Sequence, residues 1–464
     1  MTSAAVGPRR EGTPISGGSA AALAFLVVAA GILVLGQTGR APSACPPLLS
    51  GDALATTPVH HVYFLIKENH AFENYFGARP GVLGYPPNGS FPVAYGSSET
   101  ISPFPLAGTS TPDLPHDTPA ERADLGGGKL NNFVAQAAAS GAAAPADAVG
   151  YYTRAAIPTY YAYADHYGLA DRFFAGVLGP TLPNRVFDLA GTSGNWTTDA
   201  VPPPSVFRFP TIFDQLASRG VSFAYDYSGS PAELPPFDIP SVSGNLCEVA
   251  RVVPVTELRA QLAAGAGAPA VTFIDPSHAP LVSEHPSGNV SLGSEWSATV
   301  VNTILGSAVG SSSVIFLLFD EGGGFWDPVL PPTLDATGDG FRVPLLVISP
   351  WTPSGLVVDA PLDPAALLRF IDDNWGMAPL NSRVAAAPAL DAFFAFRAPR
   401  TAPLFLPTNV SLEAGSGGYG AAEAGGVGLS PSAALAPGNP GSLYLARWSS
   451  GLACRAAGSP SITR

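Results

Sequence analysis

Two polar clusters in this chain each follow directly on an apolar run. Residues 59–66 (VHHVYFLI) lead into Lys67-Glu68-Asn69, and residues 313–319 (SVIFLLF) lead into Asp320-Glu321, with Gly322-Gly323-Gly324 behind them. Short uninterrupted runs of β-branched and aromatic residues read as buried strands. In open α/β sheets the ligand sits beyond the carboxyl ends of the strands, so both clusters point at one rim. Three carboxylates and an amide there make an oxygen-rich pocket suited to a hard or borderline divalent cation. The plainer alternative is helix capping, because acids also follow strands as N-caps.

A hydroxyl complements that rim. In Gly179-Pro180-Thr181-Leu182-Pro183-Asn184-Arg185, Thr181 precedes a helix start expected at Pro183. An anion held there would meet free backbone N–H groups and the positive helix end. A threonine hydroxyl becomes a useful nucleophile only when its proton is drawn off, which metal coordination does. Without a metal, Thr181 reads as an ordinary cap. His116 and His285, the latter within Ser283-Glu284-His285-Pro286, stand in loop-like stretches. Either could bind a phosphoryl oxygen or pass a proton near neutral or mildly acid pH. His60 and His61 read as core or as neighbours of the rim, and His166 and His278 as structural.

The elements that must position these groups follow from periodicity. Further strand-like runs occur at 270–274 (AVTFI) and 343–348 (VPLLVI). Helical patterns lie at 129–140, 157–167, 210–219, 293–307 and 363–374. Buried strands alternating with helices predict an α/β fold whose mostly parallel sheet is covered on both faces. Segment 78–125 is turn-rich and reads as a long insertion or lid. From about residue 398 the chain is rich in Gly, Ala, Ser and Pro and reads as a loosely structured tail.

Composition narrows the function classes. The 464 residues carry 22 Lys+Arg against 35 Asp+Glu, a formal net charge of -13. Only 12% are charged and 46% are hydrophobic, which excludes a polyelectrolyte disordered chain. A nucleic-acid partner is excluded as well, because phosphate-backbone affinity needs clustered cations. The 51 glycines show no three-residue period, so the chain is not collagen-like.

Ala20–Leu35 is an uncharged apolar run behind Arg9 and Arg10. It is shorter than the roughly 20 residues of a membrane span, and as long as or longer than a signal-peptide core. Residues 1–40 are therefore expected to be a signal peptide or a membrane anchor, with the arginines left inside and the rest of the chain facing outward. Residues 41–397 would form the main domain and 398–464 the tail. Cys45, Cys247 and Cys454 have no C-x-x-C spacing and allow at most one intrachain bridge. A Cys45–Cys454 bridge tying the domain ends and three unpaired thiols are both compatible with this.

Taken in order, 62–77 (VYFLIKENHAFENYFG), GPTLPNR, SEHP, 319–332 (FDEGGGFWDPVLPP) and 341–351 (FRVPLLVISPW) resemble the phosphoesterase family of bacterial phospholipases C and acid phosphatases. The likeness runs over roughly residues 58–376 and includes GGGKLNNFV at 126–134. It implies a three-layer α/β/α sandwich, similar to alkaline phosphatase, and a single divalent metal ion whose identity varies. It further implies metal ligation by Glu68, Asn69, Thr181, Asp320 and Glu321, with Thr181 as nucleophile. His116 and His285 would bind phosphate or transfer protons, and Arg185 and Asn184 would touch substrate. The substrate would be a phosphomonoester or phosphodiester, either a small molecule or a lipid headgroup. An uncleaved N-terminal segment would hold the protein at a membrane.

Two positions depart from the family pattern: Pro328 follows Asp327, and Pro364 follows Asp363, where the family usually has histidine. With the C-terminal domains of longer phospholipases C also missing, the balance tilts toward the acid-phosphatase end. Thr-Leu-Pro-Asn-Arg also matches the sulfatase pattern C/S-x-P-x-R on its surface. A sulfatase needs that first residue oxidised to an aldehyde, and threonine would give a ketone. A surface protein that keeps the fold without turnover is the remaining rival.

Overall fold

The computed structural model describes residues 45–84, 89–203, 205–229, 234–277, 279, 281–397 and 402–416. The described residues from Leu48 onward make up one compact unit, and of the N-terminal unit Met1–Pro47 only residues 45–47 are described. The apolar run Ala20–Leu35, His278 and Cys454 lie outside the described residues. Among the described residues no helix is long and apolar enough to cross a membrane.

An eight-stranded sheet forms the centre. In chain order its strands are β1 (His61–Lys67), β2 (Gly168–Ala170), β3 (Phe223–Tyr227), β4 (Val252–Pro254), β5 (Val271–Asp275), β6 (Ser313–Phe319), β7 (Leu345–Ile348) and β8 (Leu356–Val358). Their order across the sheet is β8-β2-β7-β6-β1-β5-β3-β4. Only β7 runs against the rest, pairing antiparallel with both β6 and β2. The four long apolar runs all form strands, and every residue of β1, β5, β6 and β7 is buried. Strands buried on both faces carry apolar runs rather than alternation. The shorter β2, β4 and β8 escape sequence reading because three residues show no period. In β3 (FAYDY) the buried Asp226 interrupts the apolar signal.

The helices named below are α1 (Phe72–Phe76), α2 (Thr118–Asp124), α3 (Phe133–Ala139), α4 (Pro158–His166), α5 (Thr181–Ala190), α6 (Ile212–Arg219), α7 (Val290–Leu305) and α8 (Pro364–Asn374). Five of them fall where the sequence pattern placed helices. α6 shows why such a segment is legible: Thr211 and Asp214 form a reciprocal capping box, and Gly220 ends the helix. α5 begins at Thr181, two residues before the expected start at Pro183. Proline is tolerated anywhere in a first turn, because those N–H groups have no intrahelical partner.

The turn-rich stretch before α2 is ordered. Phe91–Pro92 pairs with Thr100–Ile101, and Phe104–Pro105 pairs with Gly150–Tyr151. A satellite core of Phe91, Leu114, Phe133, Leu178, Trp326 and Phe341 ties this stretch to the loops beyond β6. Residues 402–416 lie along α7, where Asn302 Nδ2 donates to Leu406 O at 2.7 Å and Leu412 is fully buried. Cys45 and Cys247 are both disulfide-bonded, so of the two compatible readings the one with three unpaired thiols does not hold.

Candidate active site

Register brings the two polar clusters together. β1 pairs parallel with β6, matching Lys67 to Phe319, so Glu68-Asn69 and Asp320-Glu321 leave the sheet side by side. The ladder continues one step further, with Asp320 N donating to Lys67 O at 3.1 Å. β5 pairs on the other side of β1 and ends in Asp275 at the same rim. The sequence reading did not name Asp275, although it follows an apolar run just as Asp320 does.

Backbone geometry then turns Asn69 inward. Asn69 has φ 60, in the left-handed region that Asn enters more readily than most residues. Its N–H donates to Asp320 Oδ1 at 3.2 Å, and Glu321 N donates to the same oxygen at 2.8 Å. Gly323, at φ +59, passes so close that a Cβ there would sit 2.2 Å from Asn69 O. At Gly324 a Cβ would lie 2.8 Å from Pro115 O, just before His116. The glycine run therefore lets three loops converge.

α5 supplies two groups one turn apart. Thr181 Oγ1 donates to Glu321 Oε1 at 3.0 Å. Four residues on, and so on the same side of the helix, buried Arg185 reaches Asp320 Oδ2 (3.0 Å), Asp275 Oδ1 (3.1 Å) and Glu68 Oε1 (3.3 Å). Those carboxylates outweigh burial and hold its guanidinium charged. Arg185 thus meets protein groups at Nε, Nη1 and Nη2. Asn184 is likewise engaged: Oδ1 accepts from Val177 N at 2.8 Å, while Nδ2 donates to Gly179 O (2.8 Å) and Pro180 O (3.0 Å). It shapes the loop that presents Thr181. The N–H of Leu182 is also taken, by Asp199 Oδ1 at 2.9 Å, so the helix start is less open to an anion than expected.

His116 and His285 face each other with ring centroids 6.2 Å apart. One ligand atom from each of Asp113, His116 and His285 lies within 4.8 Å of the others. His285 Nδ1 donates to Pro286 O. Its loop is clamped from below by buried Glu284, which binds Lys67 Nζ (3.1 Å), Tyr75 OH (2.5 Å) and Tyr160 OH. His70 belongs to the same support, joining Asn74 Oδ1 at 2.9 Å and Glu284 O at 3.0 Å. Burial pushes its pKa down to about 3, against the pull of these two hydrogen bonds. A cleft of about 410 Å³ opens beside Pro180 and His116, and Asp113, Asp117 and Asp199 line it.

The donor set fits a cation. Asn69 Oδ1 and Glu321 Oε2 are buried without any hydrogen-bond partner. Orphaned buried oxygens are costly unless something meets them. Glu68, Asp275 and Asp320 are buried around a single guanidinium, and Glu321 is buried next to Asp320. Burial, and then the neighbouring Asp320, raise the Glu321 pKa well above the usual carboxylate range. Burial does the same to Glu68, against the pull of Arg185. Such a surplus of buried negative charge is stabilised by a divalent ion.

Of the two prolines at departing positions, Pro364 has a structural use. Pro364 opens α8 behind its cap Asp363, which accepts from Ala365 N at 2.7 Å. Asp327, before Pro328, receives Arg342 Nε at 2.8 Å in a second buried ion cluster with Glu73 and Asp171.

Comparisons with known proteins show the family. The phosphoesterase family model matches residues 59–378. Phospholipase C A of Mycobacterium tuberculosis is 28% identical over 79% of this chain and 80% of its own length. The non-hemolytic phospholipase C of Pseudomonas aeruginosa is 25% identical over 74% of this chain and 58% of its own length. Among solved structures, the lipoteichoic acid synthase LtaP of Listeria monocytogenes aligns at 8% identity over 77% of this chain and 82% of that one, TM-score 0.40. An alkaline phosphatase superfamily protein from Vibrio parahaemolyticus aligns at 12% identity over 68% and 78%, TM-score 0.36. With the family match spanning all three converging loops, the chain belongs to the phosphoesterase family, hydrolases that act on phosphoric ester bonds.

Proposed function

We propose that the protein is an exported, metal-dependent phosphoric ester hydrolase with Thr181 as its nucleophile. One observation carries the reading. Thr181 Oγ1 lies 3.0 Å from Glu321 Oε1, beside a rim where Asn69 Oδ1 and Glu321 Oε2 have no protein partner. Glu68, Asn69, Thr181, Asp320 and Glu321 would hold one divalent ion. When bound, that ion would acidify the Thr181 hydroxyl and offset charge on a phosphoryl oxygen.

The chain's own groups do the rest. Glu321 orients the hydroxyl by accepting its hydrogen bond. Thr181 Oγ gives its proton to Glu321 as it attacks phosphorus, and the bond from phosphorus to the leaving oxygen breaks. His285, with Nδ1–H tied to Pro286 O, has Nε2 for exchanging a proton with that leaving oxygen. Water then cleaves the phosphoryl–threonine link. Arg185 and the Glu284 clamp keep rim and loop in register.

The phospholipase C names of the similar proteins favour a diester substrate, and a monoester is the alternative. Nitrophenol release from bis- and mono-nitrophenyl phosphate, between pH 4 and 9 and with or without chelator, tests both. Chelator-sensitive turnover is expected. No turnover of either ester by metal-loaded protein would favour a binding protein that keeps the fold. Export rests on the basic-flanked run Ala20–Leu35.

A further inference from the structure

We infer that His116 is a positioning residue: its tautomer turns the Asn69 amide so that Oδ1, not Nδ2, faces the cation site. The inference rests on the reading of Asn69 as a metal ligand, and it assigns His116 a task other than touching phosphate.

Hydrogen-bond polarity sets the orientation of the amide. His116 Nδ1 lies 2.6 Å from Leu114 O. A carbonyl oxygen only accepts, so Nδ1 donates, and the tautomer with its single proton there presents a lone pair at Nε2. Asn69 Nδ2 lies 3.2 Å from that Nε2, so the amide N–H donates to it. An amide is planar, with its donor and acceptor on opposite edges. Once Nδ2 faces the imidazole, Oδ1 must face away, and it is the buried oxygen left without a partner. A flipped amide would set oxygen lone pairs against the Nε2 lone pair and aim an N–H₂ at the site of the cation. Glu321 Oε1, 3.5 Å from Nε2, is longer than a good contact and already takes the Thr181 hydroxyl.

The loop holding His116 is itself fixed. Leu114 is buried in the satellite core, and a Cβ at Gly324 would meet both Leu114 Cβ and Pro115 O at 2.8 Å. The chain Leu114 O, His116, Asn69, cation is therefore directional from end to end. Partners of this kind commonly set metal affinity by about 10–100-fold.

The test is calorimetric titration of Mn²⁺ into metal-stripped full-chain protein, alongside kcat and KM. His116→Ala should weaken Mn²⁺ binding about 10–100-fold. His116→Gln, which places an acceptor near the position of Nε2, should restore most of it. His116→Asn, which reaches only the position of Nδ1, should not. Circular dichroism confirms that each variant is folded. Wild-type Mn²⁺ affinity in His116→Ala, with kcat alone reduced, would overturn the inference and return His116 to the substrate. Equal affinity in the Gln and Asn variants would overturn it too. A wild-type protein that binds no Mn²⁺ would defeat the metal reading itself, and this inference with it.

Discussion

At the scale of single residues, the site separates groups that face solvent and substrate from groups that hold them. Thr181 is half-buried at the helix start, and Arg185 four residues later is fully engaged. Thr181→Ala should therefore lower nitrophenyl ester hydrolysis by at least about 10³-fold while leaving the unfolding midpoint in urea unchanged. Arg185→Met should do the reverse of a pure activity loss. It strands Glu68, Asp275 and Asp320 around an uncharged side chain, and breaking one side of a buried ion cluster costs about 3–5 kcal/mol. Urea unfolding measures it, and a shift under about 1 kcal/mol would contradict the bonding described. Glu68, Asn69, Asp320 and Glu321 were legible in sequence because each abuts an apolar run. The engagement of Asn184 and Arg185 was not, because a polar side chain's partners lie on other elements: Val177, Gly179 and Pro180 for one, Glu68, Asp275 and Asp320 for the other.

Among elements, the site is a consequence of strand register. The Lys67–Phe319 pairing of β1 with β6 delivers both acidic clusters to one place, and β5 adds Asp275. The long buried strands and capped helices were readable from local pattern. The reversed direction of β7 was not, since an apolar run of four residues carries no sign of parallel or antiparallel pairing. Nor was the role of the glycine run, which depends on what passes beside it. Gly323→Ala would place a Cβ at φ +59 against Asn69 O. We expect it to cost about 1–3 kcal/mol and to weaken Mn²⁺ binding, read by thermal unfolding and calorimetry. Mn²⁺ affinity equal to wild type would show that the Asn69 turn does not depend on this approach.

For the whole molecule, the acidic balance acquires a pH consequence. Burial raises the pKa of Asp226 to about 8, and that of Asp339 to about 8. A carboxyl whose folded pKa exceeds its unfolded value near 4 holds its proton more tightly when folded. Its contribution is whole below about pH 4 and is lost as pH rises through about 8. The metal-free protein should thus lose thermal stability steadily from pH 4 to 9. Asp226→Asn should flatten part of that decline, because Asp226 Oδ2 is buried without a partner and the amide does not ionise. A midpoint that rises over this range would contradict the assignment.

The same net charge of -13 leaves recognition of an anionic ester to the rim itself. The central claim is therefore that Thr181, at that rim, becomes covalently linked to phosphorus. Rapid acid quench of metal-loaded protein turning over bis-nitrophenyl phosphate, followed by peptide mass mapping, tests it most directly. The account predicts a burst of nitrophenol and a phosphoryl adduct on the peptide containing Thr181, both absent in Thr181→Ala. Steady turnover with no adduct, and undiminished in Thr181→Ala, would contradict it.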